Sequence, residues 1–153
     1  MKVICSASTD KKQIAISFDD GPVENFTPQI LSILKDKKVE AAFFCIGNRI
    51  AGAEHIFREI VNGNHIIGNH SYSHHFFFDM YSSARMLKEL KQMNKETERV
   101  TGKQPKLFRP PYGVMNPNLK NAILEGDFIP VGWNVRSLDT VIKDENKLLD
   151  KMI

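Results

Sequence analysis

Short apolar runs alternate with longer amphipathic segments along most of this chain. The apolar runs have the length of buried strands and predict five of them, at 14–18, 41–46, 65–68, 106–108 and 129–133. Between and after these runs, apolar residues recur at helical spacing and predict helices at 26–37, 54–62, 82–101, 118–125 and 144–152. Strands that alternate with helices in this way predict βαβ units and a parallel sheet covered by helices.

Glycine and proline residues mark the ends of two predicted helices. Gly102 stops the long helix, and Pro105 follows it shortly after. Pro117 suits the first turn of the next helix, and Gly126 suits its end. These signals support the division of the chain into alternating elements.

The unusual polar side chains fall where predicted strands end. They are Asp19 and Asp20 after the first strand, His70 and His74 after the third, Arg109 after the fourth and Asp139 after the fifth. In parallel sheets, binding and catalytic groups gather just past the carboxyl ends of the strands. The sequence therefore predicts one functional site at this edge of the sheet.

The bulk composition argues against two classes of partner. The chain has 153 residues, the length of one ordinary domain, with 25% charged residues and a net charge of +3. No block of lysine and arginine is dense enough to suggest nucleic acid or a membrane surface as a partner.

The apolar runs are far shorter than the roughly 20 residues of a membrane helix, and the N-terminus lacks a secretory signal. The oligomeric state stays open.

Two histidines four positions apart, His70 and His74, are the first candidate metal ligands. Such a pair lies on one face of a helical turn, or converges from a tight loop, and can then share one metal ion. A catalytic site of the zinc type has three protein ligands and an open position, so two histidines and one carboxylate form a suitable set. The pair alone fits two surface or core histidines somewhat better than it fits a metal pair.

The stretch 17–22 (SFDDGP) offers the carboxylates. One of Asp19 and Asp20 is a candidate third ligand, and the other would remain free to take a proton from a water molecule that the metal activates. Gly21 permits unusual dihedral angles and Pro22 fixes the next φ, so a turn here would steer both carboxylates toward one cavity. In isolation, the same stretch also fits an ordinary surface turn.

The stretch 109–113 (RPPYG) and the single tryptophan complete the candidate site. Arg109 could orient the free carboxylate through a two-pronged hydrogen-bonded pair. The two prolines lack an N–H, so Tyr112 provides the first backbone donor for a developing oxyanion. Trp133 could stack on a sugar ring. Taken singly, these features also fit a rigid turn and a core tryptophan.

Together these stretches resemble the polysaccharide deacetylases of carbohydrate esterase family 4, the NodB-homology domain. The family's first motif, Thr-Phe-Asp-Asp-Gly-Pro, is matched by 17–22 with one change of threonine to serine. The second, His-(Ser/Thr)-x-x-His, is matched by 70–74, and the third, Arg-x-Pro-(Tyr/Phe)-Gly, by 109–113. The resemblance covers the chain from Lys11 onward and implies an α/β fold, a distorted (β/α) barrel with fewer than eight strands.

The resemblance also implies a role for each matched residue. Asp20, His70 and His74 would bind a divalent metal, usually zinc and in some members cobalt or nickel. Asp19 would be the general base, and Arg109 would hold it.

The remaining implied roles concern the substrate. The backbone N–H of Tyr112 would help to stabilise the oxyanion, Trp133 would line the pocket, and Asp139 would orient a catalytic histidine. The implied reaction is hydrolysis of an N-acetyl group on an acetylamino sugar of a polysaccharide, or of an O-acetyl ester in some relatives. The polymer and the compartment stay open, although the family is mostly extracytoplasmic.

Two departures from the family pattern bear on activity. The fourth motif usually ends Asp-Trp, whereas this chain has Asp139 followed by Thr140. The fifth motif, Leu-x-His, supplies the histidine that protonates the leaving amine, and no histidine follows Asp139. We therefore expect residues 1–153 to be a single NodB-like domain that is incomplete at its C-terminal end.

Two rival functions remain compatible with the sequence. The first is a carbohydrate- or metal-binding module that keeps the site but lacks the acid. The second is a purely structural metal site, and the presence of both Asp19 and Asp20 argues against it. A structural site needs no spare carboxylate and closes its fourth position with another ligand.

Overall fold

Five parallel strands form one sheet in which strand order follows chain order. The computed structural model describes residues 1–8, 10–139 and 141–152, with the side chain of residue 152 left out. The sheet order is β1-β2-β3-β4-β5, and every pairing is parallel. The strands are β1 (Ser17–Gly21), β2 (Ala42–Cys45), β3 (Ile66–Asn69), β4 (Leu107–Phe108) and β5 (Ile129–Pro130).

Helices connect successive strands, as the sequence predicts. They are α1 (Thr27–Lys37), α2 (Gly47–Ile50), α3 (Glu54–Asn62), α4 (Ser83–Thr101), α5 (Pro117–Glu125) and α6 (Glu145–Met152). Two 3₁₀ turns, Phe78–Met80 and Pro111–Gly113, lie in the connections that follow β3 and β4. The bounds of α1, α3, α4, α5 and α6 agree with the sequence prediction within one residue, whereas the short α2 was not predicted.

The predicted helix boundary signals act as expected. Gly102 ends α4 with φ 73°, in the left-handed region that costs glycine nothing, and its N–H bonds back to the carbonyl of Glu98. Pro117 occupies the first turn of α5, and the side chain of Asn116 accepts a hydrogen bond of 2.8 Å from the Leu119 N–H.

Two apolar clusters bury the helices against the sheet. The first joins α1, α3 and α4 to β2, with Phe43, Phe57 and Ile60 fully or almost fully buried. The second joins α4 and α5 to β4 and includes Phe108 and Ile123, neither of which is exposed at all. Burying these side chains supplies most of the driving force for folding and fixes the strand ends in space.

The first and last predicted strands differ from the structure. β1 begins at Ser17 instead of residue 14, and Ile14 is 88% exposed, so its apolar side chain was a misleading signal. β5 ends at Pro130, which leaves Trp133 beyond the strand. After β5, the N-terminal segment pairs in parallel, since Ile4 bonds to Pro130 and Gly132 through hydrogen bonds of 2.9 Å.

Candidate functional site

The carboxyl ends of β1, β3 and β4 carry the candidate site, as the sequence predicts. Asp19 and Asp20 lie at the end of β1, His70 follows β3 directly, and Arg109 follows β4 directly. Their side chains meet although β1 and β4 are separated by two strands in the sheet.

A bulge in β1 explains how adjacent aspartates serve one site. Asp19 pairs with Phe44 and Gly21 pairs with Cys45, so Asp20 is an extra residue with no partner in the register. Its φ of 67° lies in the left-handed region, which few residues other than glycine adopt. Regular strand geometry would point the two carboxylates to opposite faces, and the bulge removes this constraint. The unusual dihedral is thus at Asp20 and not at Gly21, where the sequence suggested it.

Asp20, His70 and His74 form a group that can hold a metal ion. Oδ1 of Asp20 lies 3.7 Å from Nε2 of His70 and 3.4 Å from Nε2 of His74. The three ligand atoms lie within 4.8 Å of one another, and no other such group occurs in residues 1–8, 10–139 and 141–152. Tetrahedral zinc with ligands near 2.0–2.1 Å separates its donor atoms by about 3.3 Å, so the observed spacing fits a divalent ion.

The ring of His70 is oriented for ligation by its other nitrogen. Nδ1 lies 2.7 Å from the carbonyl oxygen of Arg109, which accepts a hydrogen bond, so Nδ1 carries the proton and Nε2 keeps its lone pair. Burial lowers the pKa of His70, although the negative charge of Asp19 opposes this effect. The imidazole is therefore in the neutral form that binds metals.

The loop between the two histidines is shaped by Asn69. Oδ1 of this buried residue accepts a 2.8 Å hydrogen bond from the Ser71 N–H, and its Nδ2 donates to Leu90 and Asn94 on α4. Ser71 has φ 66°, and its Oγ accepts a 3.0 Å bond from the N–H of His74. The pair therefore converges from a tight loop and does not share a helical turn.

Sequence reasoning missed Asn69. The available signal was a polar residue at the end of an apolar strand, directly before a candidate ligand. Because the polar atoms of a fully buried amide need partners, such a residue indicates a hydrogen-bonded support for its neighbour.

Arg109 connects the site to β1 and β5. Its Nη1 donates to Oδ1 of Asp19 at 2.7 Å and to Oγ of Ser17 at 2.8 Å, and its Nη2 donates to the carbonyl of Gly132 at 3.0 Å. The guanidinium lies 4.0 Å above the ring of Phe44. The expected two-pronged pair is replaced by a single bond to Asp19, because the other donors bind three further oxygens, including that of Val131.

The turn after Arg109 places Tyr112 beside the histidines. Tyr112 has φ 59°, and its ring lies 4.8 Å from the ring of His74 in an edge-on arrangement. The turn is closed by the N–H groups of Gly113 and Val114, which bond to Pro110 and Pro111, so neither closing bond uses the Tyr112 N–H.

Trp133 packs against the same turn. Its six-membered ring lies so close that a Cβ on Gly113 would be 2.8 Å from Cη2. The guanidinium groups of Arg109 and Arg136 each lie 5.3 Å from the ring centre of Trp133. The indole is half-buried, so it is not a core residue.

Asp139 lies apart from the ligand group. It is exposed, and its Oδ1 accepts a 2.7 Å hydrogen bond from Ser137 two residues away. The structure does not bring it to Asp19 or Arg109 through any hydrogen bond or ion pair of the described residues. Thr140, which stands where the family's fourth motif usually has tryptophan, lies outside the described residues.

Comparison with known families identifies the chain. Residues 6–128 match the family model described as polysaccharide deacetylase. The chain belongs to the polysaccharide deacetylase family. The resemblance stated from the motifs is therefore confirmed, and so is the α/β fold class with a parallel sheet of the (β/α) barrel type.

The similar proteins include two deacetylases and one pseudoenzyme. A peptidoglycan-N-acetylglucosamine deacetylase of Bacillus cereus is 35% identical over 134 residues, which cover 88% of this chain and 48% of the relative. A solved peptidoglycan N-acetylglucosamine deacetylase superimposes with a TM-score of 0.89 at 32% identity, covering 97% of this chain and 69% of that one. A CE4 family pseudoenzyme from Bacillus anthracis superimposes with a TM-score of 0.84 at 26% identity, covering 93% of this chain and 50% of that one.

The chain spans about half the length of curated relatives such as the Bacillus cereus deacetylase. Within the part of the chain that the structure describes, no helix combines the length and the apolar character that a bilayer span requires.

Proposed function

We propose that this polysaccharide deacetylase domain hydrolyses N-acetyl groups on the amino sugars of a polysaccharide, with a divalent metal as cofactor. The observation that carries the proposal is the convergence of Asp20, His70 and His74. The neighbouring Asp19 is not one of these three residues and forms an ion pair with Arg109. Three ligands and one adjacent base are what metal-assisted hydrolysis needs.

We propose zinc as the resident metal, bound by Asp20, His70 and His74. Two imidazoles and one carboxylate suit zinc, and cobalt or nickel would fit the same donors. When bound, the metal would polarise the acetyl carbonyl and lower the pKa of water. This chemistry needs a base that does not bind the metal.

Asp19 is our candidate for that base. Arg109 donates to its Oδ1, which fixes the carboxylate in the site and leaves Oδ2 as the oxygen that would accept a proton from the attacking water. The side chain of Asp19 is 31% exposed, so water can reach it, whereas that of Arg109 is only 5% exposed.

The proposal also assigns roles to residues that would face the substrate. The Tyr112 N–H would donate a hydrogen bond to the oxyanion, and the half-buried Trp133 would form a wall of the acetyl pocket. We also keep Asp139 as a candidate for orienting a proton-donating histidine, although its hydrogen bond in the structure is to Ser137.

Acetate release tests the proposed function. The 153-residue chain, loaded with zinc or cobalt, is incubated with β-1,4-linked oligomers of N-acetylglucosamine, and acetate is measured enzymatically. Asp19→Asn should abolish release, and Asp36→Asn, a matched change on the outer surface of α1, should leave it unchanged. Equal release by all three proteins would refute the assignment of Asp19.

A second candidate function is carbohydrate binding without turnover. One observation favours it: a similar solved structure, 26% identical, is a CE4 family pseudoenzyme. A chain that binds the oligomers and zinc but releases no acetate would establish this alternative.

A further inference from the structure

Three consecutive phenylalanines, 76–78, follow the second candidate ligand, and only the last is buried. Phe78 is 1% exposed, whereas Phe76 is 71% exposed and Phe77 is 51% exposed. Single exposed apolar residues are common on protein surfaces. Two adjacent aromatic rings in solvent, beside a candidate active site, call for a separate explanation.

The exposed rings continue outward from the ligand group. The ring of Tyr112, itself 46% exposed, lies 4.8 Å from His74 and 6.1 Å from Phe76. The ring of Phe76 in turn lies 5.0 Å from that of Phe77. Tyr112, Phe76 and Phe77, which we call the aromatic platform, therefore form a row of neighbouring rings that begins beside the candidate ligand His74.

The backbone below the aromatic platform is fixed. The N–H of Phe78 bonds to the carbonyl of His75 at 2.9 Å, and the N–H of Met80 bonds to that of Phe77 at 3.1 Å. The buried ring of Phe78 anchors this turn in the second apolar cluster. Backbone hydrogen bonds and the buried Phe78 ring both hold this turn. The rings of Phe76 and Phe77 are therefore exposed on a preformed structure.

We propose that the aromatic platform binds the sugar residues that neighbour the acetylated one, so that the domain recognises at least two linked sugars. This proposal rests on the proposed function, because it takes the acetyl group to lie at the ligand group. The C–H faces of a pyranose ring are apolar and flat enough to stack on an aromatic ring, and the three platform residues are 46–71% exposed. Phe76 would thereby set the preference for oligomers over single sugars.

Binding, not turnover, tests this inference. The metal-free chain, which should release no acetate, is titrated with N-acetylglucosamine and with its β-1,4-linked tetramer, and binding is followed by protein NMR. Phe76→Ala should weaken tetramer binding about tenfold and leave monomer binding unchanged. Phe76→Tyr should restore tetramer binding because it keeps the ring, whereas Phe76→Leu should not.

The controls separate this proposal from the proposed function. Ile33→Ala, at an apolar residue of α1 that is 60% exposed, should bind both sugars as the wild type does. Equal affinity of the wild type for monomer and tetramer would overturn the platform, and so would an equal loss of both in Phe76→Ala. Acetate release by the zinc-loaded wild type decides the proposed function independently, whichever result the titrations give.

Discussion

Nη1 of Arg109 lies 2.7 Å from Oδ1 of Asp19, although two strands separate β4 from β1 in the sheet. Neighbouring strands lie about 4.8 Å apart, so a flat sheet would separate β1 and β4 by roughly 14 Å. Side chains stand roughly perpendicular to a flat sheet, so Arg109 and Asp19 would point away from such a sheet side by side and would not meet. The ion pair therefore fits a curved sheet, and curvature is what brings the ends of a barrel's strands around one cavity.

Arg109→Lys should lower the free energy of unfolding by about 2–4 kcal/mol. Lysine keeps the charge but cannot reach Ser17, Asp19 and Gly132 at once, so buried oxygens lose their donor. Urea unfolding followed by circular dichroism measures the change. Arg99→Lys, at an exposed ion pair with Glu54, is the matched control and should show no comparable loss.

Asp19 and Asp20 should differ in what their removal does to the metal. Asp20→Asn should bind zinc at least tenfold more weakly, because a neutral amide replaces an anionic ligand. Asp19→Asn should keep one zinc per chain and lose turnover. Metal content after dialysis, measured by mass spectrometry, checks both. Equal zinc retention in the two variants would contradict the assignment of Asp20 as the ligand.

Asn69→Ala should weaken both folding and metal binding. It removes the hydrogen bonds to Leu90, Asn94 and Ser71 and leaves their polar atoms buried, at a cost of about 2–4 kcal/mol. Because Ser71 shapes the loop between the histidines, zinc affinity should fall about 10- to 100-fold. Calorimetric zinc titration and thermal unfolding measure the two effects. Asn118→Ala, an exposed asparagine that bonds to Tyr81, should change neither appreciably.

Gly113→Ala should be more damaging than Gly102→Ala. Both glycines have positive φ, 71° and 73°, so both variants incur the same backbone cost of about 1 kcal/mol. Only at Gly113 would the new methyl group also collide with Trp133, adding about 1–3 kcal/mol; nothing described lies within 4 Å of the position at Gly102. Urea unfolding compares the pair. Equal losses would mean that Trp133 moves aside freely.

His65 should make the stability depend on pH on the acid side. Its pKa is lowered because burial disfavours the charged ring, against the opposing charge of Glu40, and its Nδ1 accepts a 3.2 Å bond from the Ala41 N–H. The unfolded chain therefore binds this proton more readily than the native state. The contribution is fully present above about pH 6.5 and is lost as the pH falls through the lowered pKa.

His65→Asn supplies the measurement, since asparagine can keep an acceptor near the Ala41 N–H without titrating. The unfolding free energy of the wild type should fall more steeply between pH 7 and pH 5 than that of the variant. Other titrating groups are common to both proteins and cancel in the difference. Parallel profiles would contradict the role of His65.

Most of the secondary structure could be predicted from the sequence because its signals are local. The periodicity of α3 and α4, the Gly102 stop and Pro117 in the first turn of α5 depend on neighbours a few residues away. The prediction was wrong where an apolar residue had no tertiary partner. Ile14 was assigned to a strand, yet it lies in solvent before β1.

The residue types at the strand ends by themselves determined that this chain offers two imidazoles, two carboxylates and a guanidinium at one edge of a parallel sheet. Only the tertiary structure decided how they divide their tasks. The bulge at Asp20 directs one carboxylate to the histidines, an ion pair across two intervening strands gives the other to Arg109, and the Arg109 carbonyl selects the free nitrogen of His70. Each of these choices depends on a contact between residues far apart in sequence, which local pattern cannot encode.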